Sequence, residues 1–159
     1  MKKTWYQRYV ELRRKFGLSK IILDREANEP YLERNWIIKI PGVFQLAVHR
    51  FWKSDDDGGL HDHPWLFWGS KILKGGYWEH MPDPLDPLKT VKVWRDSTQP
   101  MRWNGAKALH RVELDPDTPE VWTLFVMGPK IREWGFVPNG TTKWVQWQEY
   151  LQSKTRKKL

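Results

Sequence analysis

Between Lys20 and Trp147 the apolar residues fall into short β-like runs, at 21–23, 36–40, 43–52, 65–73, 77–80, 91–94, 110–114 and 121–127, each closed by turn residues. The punctuation is Pro41-Gly42, the segment 54–59, Gly75-Gly76, the proline-rich stretch 82–87, Asn104-Gly105, Asp115-Pro116 and Asn139-Gly140. Glycine and asparagine accept the positive φ that tight turns need, and proline presets their geometry. Short strands at this density indicate an all-β sandwich or barrel.

The two ends read as helices. Thr4 opens a helical pattern with Gln7 as a capping box, an apolar line through Trp5, Tyr9, Leu12 and Phe16, and Gly17 as the stop. The expected helix, about 1–17, lies with its apolar side against the domain. A second helix over 142–153 puts Trp144, Trp147 and Leu151 on one side and leads into the basic run Lys154-Thr155-Arg156-Lys157-Lys158. With the strands filling 20–140, the 159 residues read as a single domain with a sizeable core and no internal repeat.

Cysteine is absent, which excludes a disulfide framework, a thiolate metal site and a cysteine nucleophile. Any metal must be held by nitrogen and oxygen. The formal charge of +8 sits largely at the ends, in Lys2-Lys3, Arg13-Arg14-Lys15 and the tail. A solvated helix face and a basic tail account for it, so nucleic acid is not the expected partner. No run approaches the ~20 apolar residues of a membrane span, and Lys2-Lys3 leads into polar and aromatic residues rather than a signal core. The expected location is the cytoplasm, without a membrane partner. The twelve tryptophans are expected mostly in the core or lining a pocket, because indole is costly to expose.

His61 and His63, in Gly59-Leu60-His61-Asp62-His63-Pro64-Trp65, are candidate metal ligands. On a strand, positions i and i+2 share a face, so the pair can aim two imidazoles at one point. A later strand carrying His110 can supply a third. Three imidazoles are neutral, so a divalent ion among them keeps its full charge and open positions, which favours a small anionic substrate. Imidazole suits Fe, Zn, Cu and Ni alike, so the ligands do not name the metal.

These residues resemble the cupin superfamily. In the register of the first cupin motif stand His61, His63, Trp68 and Gly75, with Trp68 where the usual glutamate ligand would be and Asp55 in place of the leading glycine. His110 stands for the second motif, without its Pro-x-Gly. Three histidines and no glutamate resemble the thiol dioxygenases of the cysteine dioxygenase group, through His61-Asp62-His63, the spacing to Gly75, Leu109-His110-Arg111-Val112-Glu113 and Thr118-Pro119-Glu120. In Tyr31-Leu32-Glu33-Arg34-Asn35, Arg34 matches, with a one-residue gap, an arginine that grips the substrate carboxylate there. The Ser-x-His-x-Tyr run of those enzymes is absent, since Thr123-Leu124-Phe125-Val126-Met127 takes its place, which puts cysteine in doubt as substrate.

A closer resemblance is to a small group of bacterial and phage cupins. It rests on His49-Arg50-Phe51, His61-Asp62-His63-Pro64-Trp65, Gly75-Gly76-Tyr77, His110-Arg111-Val112, Trp122-Thr123-Leu124, Gly128-Pro129 and Arg132-Glu133-Trp134-Gly135-Phe136. The resemblance implies a cupin-type antiparallel β-barrel, or jelly roll, with short flanking helices. It also tilts the metal toward Fe(II), with Zn, Ni, Mn and Cu open, and homodimers are common in this superfamily.

The remaining polar candidates divide by position. Asp62, between the ligands, is expected to face away and bond a turn or a neighbouring group. Glu79 reads as a fourth ligand or as a solvated strand glutamate, His49 as a core histidine or a pocket acid–base group, and His80 as exposed. Arg34, Arg50, Arg111 and Arg132 could clamp an anion through paired hydrogen bonds. Arg50 is preferred for its place beside Phe51, and Arg34 on the resemblance. Trp65 and Trp68 flank the ligand strand as pocket walls. The expected function is a dioxygenase-like, metal-dependent oxidoreductase. The alternatives are a non-redox isomerase or lyase of the same fold and a binding protein touching nucleic acid through its basic ends.

Overall fold

The computed structural model describes residues 5–24, 29–55, 58–118 and 120–156. Helix α1 (Trp5–Lys15) precedes β1 (Ser19–Leu23), β2 (Pro30–Ile40), β3 (Phe44–Phe51), β4 (Gly59–His61), β5 (Phe67–Lys74) and β6 (Gly76–Pro82). Then come β7 (Thr90–Asp96), β8 (Arg102–Gly105), β9 (Arg111–Leu114), β10 (Val121–Met127), β11 (Gly135–Pro138), β12 (Val145–Gln146) and α2 (Trp147–Arg156). Every strand pairing is antiparallel, in sheets ordered β1-β2-β3-β10-β5-β8, β12-β11-β4 and β7-β6-β9. This is the expected cupin-type jelly roll with a helix at each end.

Alternation sets what faces inward. Ala47, His49 and Phe51 of β3, and Val121, Thr123, Phe125 and Met127 of β10, are buried. The apolar ones among them join two clusters: Leu32, Phe51, Ile72, Tyr77, Val112 and Val121, and Trp36, Ala47, Trp68, Phe125 and Met127. The second cluster walls the histidines.

The strands depart from the sequence reading where they are short or polar. β2 begins at Pro30 rather than at 36, and β4, β8, β11 and β12 hold only two to four residues each. Asn104-Gly105, read as a turn, belongs to β8 opposite Trp68 and Phe67. Gly75-Gly76 is not a hairpin turn: β5 pairs with β10 and β8, whereas β6 pairs with β7 and β9. The chain changes sheets there, and Gly75 has φ 74° with a would-be Cβ 2.5 Å from the Glu120 carbonyl oxygen.

The expected burial of the α1 apolar line is not met: Tyr9, Leu12 and Phe16 are 41%, 55% and 69% exposed. The helix is tied down through Arg13, which donates to the Leu18 and Trp36 carbonyl oxygens. Its end is a Schellman motif, Leu18 N–H to Arg13 O at 2.8 Å and Gly17 N–H to Arg14 O at 2.9 Å, with Gly17 at φ 64°. Thr4 and the Gln7 side chain lie outside what is described. The second helix starts at Trp147, not 142, because 145–146 pair with β11. It docks Tyr150 on Phe136, ring centroids 4.4 Å apart.

Of the tryptophans, only Trp36 and Trp68 are buried among the described residues. Several others are half-buried beneath cations, Trp52 and Trp122 under Arg50 and Trp78 under Lys92. No described helix is long and apolar enough to cross a membrane.

Candidate metal centre

The main chain brings the three histidines together. His61 ends β4 and His110 stands one residue before β9. They form an isolated antiparallel bridge, His61 N–H to His110 O at 2.8 Å and His110 N–H to His61 O at 2.9 Å. His63 follows the end of β4 rather than lying within it, and its N–H bonds the Ala106 carbonyl at 3.2 Å. One ring nitrogen from each histidine lies within 4.8 Å of the others. His61 Nδ1 is 3.8 Å from Oδ2 of the buried Asp55, which accepts the Val112 N–H at 2.7 Å.

The donor set fits one ion. His63 Nε2 and His110 Nε2 are 2.9 Å apart, while two nitrogens bound at right angles to a metal at about 2.0–2.1 Å stand about 2.9 Å apart. His110 Nδ1 lies 3.0 Å from Glu79 Oε1. An ionised carboxylate only accepts, so the hydrogen is on Nδ1 and the Nε2 lone pair faces His63. Only a hydrogen or a cation between those nitrogens relieves it. Burial pushes the His63 pKa well down, with His110, His61, Arg34 and His49 adding to the effect, so its imidazole is neutral, as a ligand must be.

Aromatic rings close around this corner. The His63 ring stacks on Trp65 at 5.2 Å and meets Trp68 at 4.6 Å and Phe125 at 5.8 Å. Trp68 is 1% exposed, donates its indole N–H to the Gly105 carbonyl at 3.2 Å and stands 4.7 Å from the His110 ring. Trp65, Trp68 and Phe125 thus form an apolar wall around His63.

Arg34 and His49 are cross-strand partners on β2 and β3. Arg34 Nε donates to His49 Nε2 at 2.9 Å, and the His49 ring stacks on Phe125 at 4.8 Å. Burial lowers the Arg34 pKa to about 10. It lowers His49 well below the ordinary range, with the Arg34 charge adding to it. Among the described residues Arg34 makes no ion pair, and its guanidinium also lies over the Trp36 ring, 5.8 Å from the centroid. The structure sets these two sequence candidates side by side, His49 buried against Phe125 and Arg34 half-buried beside it.

Arg50 is a correction. It follows His49, so it points to the other side of β3, where it pairs with Glu120 at 2.5 Å between Trp52 and Trp122. Arg111 bonds His80 and Arg132 pairs with Asp62, so neither is available as a clamp. His80 is buried, not exposed, between Glu113 at 2.7 Å and Arg111 at 3.2 Å. Asp62 turns away from the ligands as expected: it accepts the Gly135 N–H at 2.8 Å and the Trp144 indole N–H at 2.9 Å.

Glu79 takes neither of its two expected roles. It is 2% exposed, bonds His110 from behind, and also pairs with Arg95 Nε at 2.9 Å and with Arg102. Burial favours its neutral form, but the His110 hydrogen bond, Arg102 and Arg95 outweigh that and hold its pKa at about 2. Arg95 and Arg102 were missed by sequence reading, since they come from β7 and β8 without a local pattern.

No family model and no curated protein sequence matches the chain. Solved structures do. Hydroxypropylphosphonic acid epoxidase from S. wedmorenis is 12% identical with a TM-score of 0.51, over 70% of this chain and 56% of that one. The Fe(II)-HppE structure with alternative substrate (S)-1-HPP gives 12%, 0.52, 70% and 56%. An uncharacterized conserved protein with a double-stranded β-helix domain from Klebsiella pneumoniae gives 8%, 0.51, 75% and 91%. The chain spans just over half the length of the epoxidase. At such identities the likeness shows the fold alone, a double-stranded β-helix.

Proposed function

We propose that the chain is a metal-dependent enzyme of the non-haem Fe(II) dioxygenase type acting on a small anionic substrate, with His61, His63 and His110 as ligands. The observation that carries it is Arg34, a half-buried and partly desolvated guanidinium whose hydrogen-bond partner is a neutral imidazole, with no carboxylate paired to it among the described residues. A partly desolvated cation without a counter-charge favours an anion beside it. The substrate supplies that charge, and His49 aims the guanidinium by accepting its Nε hydrogen. Trp65, Trp68 and Phe125 exclude water from the same corner.

Bound by three neutral imidazoles, a divalent iron would supply Lewis acidity and one-electron chemistry without ligand charge to offset it. The Fe(II) named for one structural neighbour supports iron over zinc. Oxygen uptake by the Fe(II)-loaded protein across a panel of small thiols and enolisable acids tests the reading. Substrate-dependent uptake, abolished in His110→Ala, is expected. No uptake by loaded protein across the panel overturns it, and turnover retained with Zn(II) replaces it with an isomerase or lyase, because zinc has no redox chemistry.

A further inference from the structure

We infer that Glu79 is the positioning residue of the metal centre: its carboxylate takes the Nδ1–H of His110 and so presents Nε2 to the ion. This rests on the three-histidine reading of the site. Strand register sets the contact. Glu79 pairs with Val112, so His110, two residues earlier, lies diagonally on the same face. The contact is 3.0 Å between side chains 3% and 8% exposed.

Both carboxylate oxygens are anchored, Oε2 by Arg95 and Oε1 by Arg102 as well as His110. Glu79 therefore cannot swing forward to become a ligand. The barrel keeps a glutamate at its metal centre, but one layer back, while Trp68 takes the ligand position. A carboxylate behind an imidazole fixes its tautomer and raises its basicity, and losing such a partner typically costs 10–100-fold in metal affinity. The arrangement yields a better donor at His110 while the ion retains its full charge for an anionic substrate.

Two measurements test this on the full-length protein. Long-range 1H–15N correlation NMR of the metal-free wild type reads the His110 tautomer: Nδ1–H is expected, and Nε2–H overturns the inference whether or not any variant folds. Co(II) titration followed by its visible absorption compares wild type, Glu79→Gln and Glu79→Asp, with circular dichroism as the check on folding. Glu79→Gln is expected to lose 10–100-fold in Co(II) affinity with a changed spectrum, and Glu79→Asp to recover part of it. A folded Glu79→Gln with unchanged affinity and spectrum removes the inference alone. A wild type that takes up no Co(II) removes the metal reading and the inference with it.

Discussion

Two sets of arginines reach the histidine cluster, and they are built on opposite terms. Arg95 and Arg102 share the carboxylate of Glu79, so their charge is answered from within the fold. Among the described residues Arg34 makes no ion pair and meets a neutral imidazole and an indole face. In a low-dielectric interior, charge that is already paired holds structure in place. Charge left over stores a preference for a ligand.

The sharpest way to break this contrast is to delete one member of each set. Glu79→Leu strands two guanidiniums and is expected to destabilise by about 3–5 kcal/mol in urea unfolding. Arg34→Met removes an unanswered cation and is expected to leave stability equal or higher. Equal losses in both would erase the distinction. Next in size is the anion itself. Small carboxylates or phosphonates should raise the melting temperature of wild type, as any ligand of the native state does, with at least 10-fold weaker apparent affinity in Arg34→Met.

A pH series sharpens the Arg34 side. The His49 pKa is lowered in the fold, so below its ordinary value the unfolded chain binds the extra proton and the native state does not. Stability is thus expected to fall as pH drops below about 6.5, by up to about 1.4 kcal/mol per pH unit for this group. His49→Gln should make the slope between pH 6.5 and 5 shallower, leaving the share that the likewise lowered His63 contributes. The smallest effect belongs to Arg50, whose pair with Glu120 lies on the outer face. Arg50→Ala is expected to change stability by less than about 1 kcal/mol and Co(II) affinity not at all.

The fold was legible because strand density and turn chemistry persist through most of the chain, and the histidine cluster because His-x-His keeps two imidazoles close along the chain, although His63 lies past the end of β4 rather than on it. β4, β8 and β12 are too short or too polar to leave a periodic trace. The apolar line of α1 was visible, but periodicity cannot say whether a face finds a partner, and here Phe16 stays exposed. Glu79 was visible as a residue and not as a role, since Arg95, Arg102 and His110 reach it from three other parts of the chain. Arg50 could have been excluded beforehand: it is adjacent to His49, and on one strand the two cannot face the same interior.

The reciprocal backbone pair between His61 and His110 joins two of the candidate ligands through a single bridge of two hydrogen bonds. Parting those main chains separates two imidazoles at once. Release of an ion held there would be governed by a local opening of the protein as much as by exchange of individual metal–nitrogen bonds. Occupancy and the protection of two particular amide protons would become one quantity. A tightly held ion would slow the exchange of both together, and a loosely held one would leave both at the pace of the bare barrel.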